Sequence, residues 1–509
     1  LHTSFALSKL PGAYLALRQP GGTVAVTEFT NLPSQREDIS YGLAGTSDPL
    51  TTGFFNPPTP GSANGASVPG FVSDTVFDAD RGLFSAPFNV HISCATAGAT
   101  IRYTTDGSEP TESSPAYPGA AGIAVNSTTV LRARAFLSPF APSNTDTHTY
   151  IFRAAVQDQP ANPPGWPATW GVDSDVGTVP SNYEMDPNVV NSTLPEYGVL
   201  DAMNALPASS VVLNPADFHD AGTGIYTNPK STGDAWERAC SIEILELDGS
   251  GFHTRTGIRV HGNSSRRPAR MQKHSFRLSF RDLYGDGKLD YRLFNDTKVQ
   301  EFNKLVLHAF FTDGFGLVSW DAGRYRPQTA LWFRDAYMKR SFADMGHPLV
   351  SGRYTHLFSN GLYWGIYRIG ERVDERWCSD HFGGLPEDWD VIAFGEGDYV
   401  RAGTGAAWDS LFNFVNSADL TVPANYNTVA NQVDLANFID YYLLHVHGDS
   451  EDWPHHNGYA IRDRVTPGAK WKHIVWDQEI AFDPLVPRNK LSVSDPDKTP
   501  GRLLQRLRV

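Results

Sequence analysis

Three patterns of apolar and polar positions follow one another along the chain. Over residues 1–66 short apolar runs, AYLALRQ and TVAVTEF, are separated by Gly/Pro turns and close in FFNPPTPGSANG. That turn chemistry predicts a small β module. Residues 84–153 alternate between apolar and polar in TIRYTT and VLRARAF, with Asp106-Gly107 as a tight-turn signal, which predicts a second β module. A Pro/Asn/Gly-rich stretch over 154–184 reads as a linker. From 185 to 509 the apolar stretches are longer and most of the tryptophans appear. This is the part of the chain large enough for a substantial core and a cleft.

Several elements in the third part are legible. Ile258 and Val260 alternate with Arg259 and His261, a Gly-Asn-Ser-Ser-Arg loop follows, and a second strand sends Phe276, Leu278 and Phe280 one way and Lys273, Ser275, Arg277 and Ser279 the other. QTALWFRDAYMKRSFADMG predicts a helix with Leu331, Met338, Phe342 and Met345 on one stripe. Asp335 falls on that stripe. A buried acid needs a partner, and Lys273 is nominated. Asn360-Gly361 predicts a hairpin whose second strand ends at Gly370-Glu371 before a helix. Near the end, VDLANFIDYYLLHVH has helical period, and GYAIRDR and WKHIVW form a hairpin around a Thr-Pro-Gly turn.

Composition narrows the class. Of 509 residues, 45 are Gly and 35 Pro, 12% are aromatic and 19% charged, a globular, strand- and loop-rich balance. A net charge of −14 argues against non-specific nucleic-acid binding. The apolar runs are too short for a membrane-spanning helix. Cys94, Cys240 and Cys378 are too few and too far apart for a disulfide framework or a four-ligand zinc site. Residues 251–340 hold 17 Lys/Arg against 8 Asp/Glu, a basic island in an acidic chain. It reads either as a local anion site or as a solvated basic face. The chain begins at Leu1 rather than Met and stops inside the helical pattern GRLLQRLRV, so it reads as a fragment, and a missing signal peptide says nothing.

Two constellations offer chemistry. In the basic island, the backbone and hydroxyls of Gly262, Asn263, Ser264 and Ser265, with the charges of Arg266 and Lys273, make a plausible phosphate cradle, though neither GxGxxG nor a Walker loop. Near the other end, Asp452 precedes Asn457 by five positions, and Asn457 and Asp477 flank a hairpin. The residue before the first strand and the one after the second lie at the same end, so the two should converge, with Asp452 one loop away. Protein kinases use this order: a carboxylate at the acceptor hydroxyl, then an Asn and an Asp on the metal. In such an order Glu371 would lie where a hinge segment meets the nucleotide base, unless it only caps the following helix. His445, His447 and Asp449 superficially resemble the HxHxD of metal hydrolases, with His455 and His456 nearby. On a helix, however, positions i and i+2 point about 200° apart. Asp282, Asp286 and Asp290 invite a calcium reading, but Tyr284 occupies a ligand position and the terminal Glu is missing, which favours a polar turn.

The pattern PSQREDISYGL…FNPPTPGSAN resembles the end of a lamin-tail domain, and IRYTTDGSEPT…S…Y resembles the chitobiase C-terminal β-sandwich module, a spacer or accessory domain. The runs GIRVHGNSSRRPARMQKHSFRLSFRDLYGDGKLDYRLF, NGLYWGIYRIGERVDERW and DWPHHNGYAIRD…WKHIVWDQEIAF resemble the CotH kinase family, atypical protein kinases first known from bacterial spore coats. The resemblance implies a multidomain chain: two N-terminal all-β sandwich modules (1–66 and 84–153), the linker at 154–184, and an α+β atypical protein-kinase-like domain over 185–509. It implies ATP with Mg²⁺ or Mn²⁺ and phosphorylation of Ser/Thr on a protein substrate. By position, Asp452 would be the catalytic carboxylate, Asn457 and Asp477 the metal pair, and Lys273 a phosphate contact. Where the family usually reads W-D-x-D, this chain has Trp476-Asp477-Gln478-Glu479; Glu479 keeps the charge on one more methylene. The upstream modules imply export to the cell surface or medium, with association to the cell wall. The rival reading is a non-catalytic surface adhesion or scaffold protein on a kinase-like fold.

Overall fold

The computed structural model describes residues 10–36, 39–44, 51–195, 197–315, 327–395, 399–482, 489–492 and 498–508. At the N-terminus, two antiparallel hairpins pair Leu15–Arg18 with Ala25–Phe29 and Ser40–Ala44 with Thr51–Phe55. The next module is a β-sandwich. Thr100–Thr104, Thr129–Phe136 and Asp146–Phe152 form an antiparallel sheet that Gly82–Phe84 extends in parallel. Its alternation buries Leu131, Ala133 and Tyr150 against Val90, Ile123 and Val125 of short facing strands.

The stretch expected to be a linker is partly built into the domain that follows. Thr169–Asp173 and Gly177–Pro180 form a hairpin, and Trp170, Val179 and Tyr183 join that domain's main core. Its Pro/Gly content shapes turns rather than a free tether.

Seven strands then close into a barrel: β1 (Ala208–Val212), β2 (Arg238–Leu245), β3 (Gly251–His261), β4 (Ser275–Ser279), β5 (Lys304–His308), β6 (Gly352–Ser359) and β7 (Leu362–Glu371). The order around the barrel is β1-β2-β3-β4-β5-β7-β6, with β6 returning parallel to β1. Ile258, Phe276, Leu278, Leu305, Leu307 and Ile369 fill the interior, so the barrel is a packed core and not a pore. Polar chemistry is left to its ends and outer face.

Helix α1 (Arg334–Asp344) joins β5 to β6, and α2 (Glu375–Phe382) follows β7. The predicted α1 stripe holds only at its centre. Met338 and Phe342 are buried, whereas Leu331 and Met345 lie beyond the helix ends, 46% and 39% exposed. The second half is an antiparallel sheet of β8 (Trp389–Ala393), β9 (Val400–Ala402), β10 (Gly458–Asp463) and β11 (Lys472–Val475), ordered β9-β8-β10-β11. Packed with it are α3 (Ala406–Ser417), α4 (Pro423–Ala430), α5 (Leu435–His447) and α6 (Pro500–Leu507). Met338 and Phe342 belong to this second core. Thus α1, reached directly from the barrel, is the element that seats one half on the other. Among the described residues no helix is long and apolar enough to cross a membrane.

Candidate functional site

The site forms where the outer face of the barrel meets the end of the β10–β11 hairpin. Strand register places His261 opposite Ser275 and His308 opposite Arg368, which in turn pairs with Tyr354. The Ala309 N–H donates to Ser275 Oγ at 2.9 Å, which puts β4 and β5 in the same row. Phe276, Leu307 and Ile369, one position away, point inward, so this row points outward, toward α1.

The β10–β11 hairpin brings its flanks together as its register requires. Gly458 pairs with Val475, Asn457 precedes it and Asp477 comes two residues after the other strand. The Gln478 side-chain amide donates to the Asn457 carbonyl at 3.2 Å and the Trp476 carbonyl at 2.8 Å, clamping the two ends. Asn457 and Asp477 adopt φ of 60° and 56°, a left-handed turn that Asn and Asp tolerate better than most residues. Asn457 Nδ2 lies 3.5 Å from Asp452 Oδ2. The structure therefore brings Asp452, Asn457 and Asp477 to one place.

Glu479 joins them. Its Oε2 accepts from the Thr312 N–H (2.9 Å) and hydroxyl (3.0 Å), while Oε1 has no hydrogen bond and lies 3.5 Å from His308 Nδ1. His308, Asp477 and Glu479 each offer a ligand atom within 4.8 Å of the others. Burial, then the Glu479 charge, pushes the Asp477 carboxyl up to about 7, and burial pushes Glu479 up to about 8. Two crowded, desolvated carboxylates with an orphaned oxygen and an adjacent amide are a donor set that fits a hard divalent cation.

Asp335 is buried, but its partner is not Lys273. Lys339, one turn along α1, binds it at 2.6 Å, and Arg368 stands at 3.8 Å. Opposite charge holds its carboxyl well below the usual range despite burial. Lys339 Nζ also sits 4.5 Å from the Trp476 ring centroid. Asp335 Oδ1 accepts the Gln478 backbone N–H at 3.0 Å, fixing the turn between Asp477 and Glu479. Lys273 instead lies at the barrel mouth, 5.9 Å from the Trp364 centroid, where burial pushes it down to about 8. No ion pair to it is present among the described residues.

The Gly262–Arg266 loop is close by. His274 Nδ1 lies 2.9 Å from the Ser265 carbonyl, which places Lys273 alongside the loop. Gly262 has φ 111°, and a Cβ there would meet Ser265 Oγ at 2.0 Å, so the turn requires glycine. Asn263 is exposed and Ser264 half-buried. Arg266 is already engaged: its guanidinium donates to the carbonyls of Gly262 (2.6 Å) and Ser231 (3.0 Å), so it braces the loop. Glu371 is not the cap of α2. That is Asp374, whose Oδ1 accepts from the N–H groups of Arg376 and Trp377 at 3.1 Å each. Glu371 is buried, accepting from the Ser351 N–H (2.8 Å) and facing His381 Nε2 (2.7 Å).

Neither the HxHxD triplet nor the calcium loop assembles. His445 is buried against Trp453, with Nδ1 2.7 Å from the Tyr441 carbonyl, while His447 faces Phe482. Asp282, Asp286 and Asp290 do not gather into a ligand group among the described residues. His308, Thr312, Lys339 and Arg368 are the site residues that sequence reasoning missed. Only Lys339 had a local signal, its i+4 spacing from Asp335.

The class these features define is a multidomain protein: a β-rich N-terminal region, then an α+β domain in which a barrel and a helix-backed sheet meet at an acidic cluster that could hold a metal. Residues 258–498 match the CotH kinase protein family model, and residues 79–147 match the chitobiase/beta-hexosaminidase C-terminal domain. The chain is thus similar to the CotH kinase family over one region and to the chitobiase-type module over another that precedes it. No curated protein matches it.

Proposed function

We propose that the chain is an ATP- and divalent-metal-dependent protein kinase of atypical, kinase-like fold that phosphorylates Ser/Thr hydroxyls of a protein substrate. The observation that carries the reading is the convergence of Asp452, Asn457 and Asp477 at one end of the β10–β11 hairpin. The CotH family match supports it.

Asp452 orients the acceptor hydroxyl and takes its proton. Asn457 and Asp477, with Glu479, would hold Mg²⁺ or Mn²⁺, which when bound neutralises charge on the phosphate oxygens. The Thr312 and Asp335 hydrogen bonds fix these ligands beforehand, so little reorganisation remains for the transfer itself. Lys273 and the Gly262–Ser264 backbone contact the nucleotide phosphates. Burial disfavours the charged form of Lys273, and a phosphate beside it would favour that form again. The substrate protein lies outside the cell in this reading, at the surface or in the medium.

The test is incubation of the purified protein with γ-labelled ATP and Mn²⁺ or Mg²⁺, beside Asp477→Ala. Label on protein in the wild type and none in the variant is expected. No label in either, with equal and weak nucleotide binding, would overturn the reading in favour of a surface adhesion protein.

A further inference from the structure

The loop between α5 and β10 holds a second group of ligands. Asp452, His455 and His456 each present one ligand atom, and the three lie within 4.8 Å of one another. The two imidazole rings are 4.6 Å apart, inclined at 57°. His455 is exposed and His456 half-buried, so the group opens to solvent. Its chemistry differs from that of the neighbouring set. That set, Asp477 and Glu479 with the single imidazole of His308 and the amide of Asn457 nearby, is dominated by carboxylate oxygen, which suits Mg²⁺ or Mn²⁺. Two imidazoles and a carboxylate are a borderline-soft set that favours Zn²⁺, with water at the fourth position.

We propose that Asp452, His455 and His456 form a zinc-type site and that its occupation inhibits the enzyme. The inhibitory half rests on the kinase reading above, because the zinc would take the carboxylate that must receive the acceptor proton. The two sets adjoin at Asp452, whose Oδ2 lies 3.5 Å from Asn457 Nδ2. Zinc on the histidine pair therefore fixes Asp452 without displacing Asp477 or Glu479. Neither histidine belongs to the phosphate-transfer set, so each can be replaced while transfer is followed.

The experiment titrates the full chain with Co²⁺, read by its d–d absorption, and displaces it with Zn²⁺. His455→Gln, His456→Gln and the double variant are compared with the wild type. The expected result is one Co²⁺ with tetrahedral-type bands, released by Zn²⁺. Each single variant should bind at least about tenfold more weakly, since loss of even an outer-shell partner costs about 10–100-fold. With Mg²⁺ saturating, Zn²⁺ should stop label transfer by the wild type at concentrations at least tenfold below those needed for the variants. Thermal melting checks that the variants fold; if the double variant does not, the singles decide.

Unchanged Co²⁺ affinity in the folded variants would overturn the proposal and assign the metal to His308, Asp477 and Glu479, which His308→Gln would then show. Equal zinc inhibition of all forms would also overturn it. If the histidine variants lose Co²⁺ but no form transfers phosphate, the metal site stands, and the inhibitory role falls with the kinase reading.

Discussion

Asp335 and Gln478 are joined by a 3.0 Å hydrogen bond, the backbone N–H of Gln478 donating to Asp335 Oδ1. They are 143 residues apart. Through this bond the helix that leaves the barrel grips the turn carrying Asp477 and Glu479. The same carboxylate holds Lys339 through its other oxygen at 2.6 Å. One buried acid thus sets the position of the candidate metal ligands and of the cation beside them.

A buried pair of this kind is costly to break from one side. Asp335→Asn keeps an acceptor for the Gln478 N–H but leaves Lys339, 5% exposed, without its nearest carboxylate. We expect a loss of about 3–5 kcal/mol in urea denaturation. Adding Lys339→Met removes the stranded charge, and the double variant should regain at least about 1 kcal/mol. Additive losses would mean that the two side chains do not depend on each other.

Glu479 departs from the usual family residue, and its length is put to use. It spans from β5, where His308 stands, to the Thr312 hydroxyl. Glu479→Gln removes a charge from the cation set and should weaken Mn²⁺ binding by at least about tenfold. Glu479→Asp keeps the charge but shortens the reach, so it should lose the Thr312 bonds and weaken Mn²⁺ less than Gln does. Electron paramagnetic resonance titration of free Mn²⁺ gives both affinities. Equal affinity for wild type and Gln would place the cation away from Glu479.

What was legible in the chain divides by sequence distance. Asn457 and Asp477 were readable because one hairpin fixes both, and period-2 alternation with a Thr-Pro-Gly turn specifies that hairpin locally. The Asn360-Gly361 turn and the end of β7 at Glu371 were readable for the same reason. His308 and Glu479 meet across 171 residues, which no periodicity reports. Asp335 pairs with Lys339, one turn away, and not with the distant Lys273. A helical i,i+4 pair outranks a distant lysine whenever both are available. The Trp170 segment reads as a linker because Pro, Asn and Gly dominate its composition, while its burial is decided by its few aromatic residues.

Acid should loosen the second half of the domain. His473 sits between Phe438 and Tyr441, ring centroids 5.1 and 5.2 Å away, with neither ring nitrogen hydrogen-bonded. Burial pushes it from 6.5 down to about 3, and His445 likewise. The folded state keeps these rings neutral, while the unfolded chain takes up protons below pH 6.5. Stability is therefore full above 6.5 and falls as pH drops toward about 3, by about 1.4 kcal/mol per pH unit for each histidine. His473→Phe should reduce that slope by one histidine's share in denaturation curves between pH 4 and 6.5. An unchanged slope would show that the ring is not held neutral.

The chitobiase-type module presses on the barrel closely at Gly107. Gly107, in the Asp106-Gly107 turn, has φ 87°, and a Cβ there would stand 2.6 Å from Asn360 Nδ2. Asn360 cannot easily move aside. Its amide donates to the Leu213 carbonyl at 2.9 Å and accepts the Leu213 N–H at 3.0 Å. Gly98, in the same module, has φ 80° but only Leu137 Cδ1 at 4.0 Å near its Cβ position. Alanine at either site carries the strain of a left-handed residue, about 1 kcal/mol. Only Gly107→Ala also meets the Asn360 amide, which should add about 1–3 kcal/mol. Urea denaturation of the two variants isolates the contact by difference, and adding Asn360→Gly should abolish most of that difference. Equal destabilisation by the two alanines would mean that the turn and the hairpin do not press on each other, and that the module is held by its other contacts to the barrel, among them the Arg81–Glu243 pair at 2.9 Å and the packing of Ile151 against Phe358 and Tyr363.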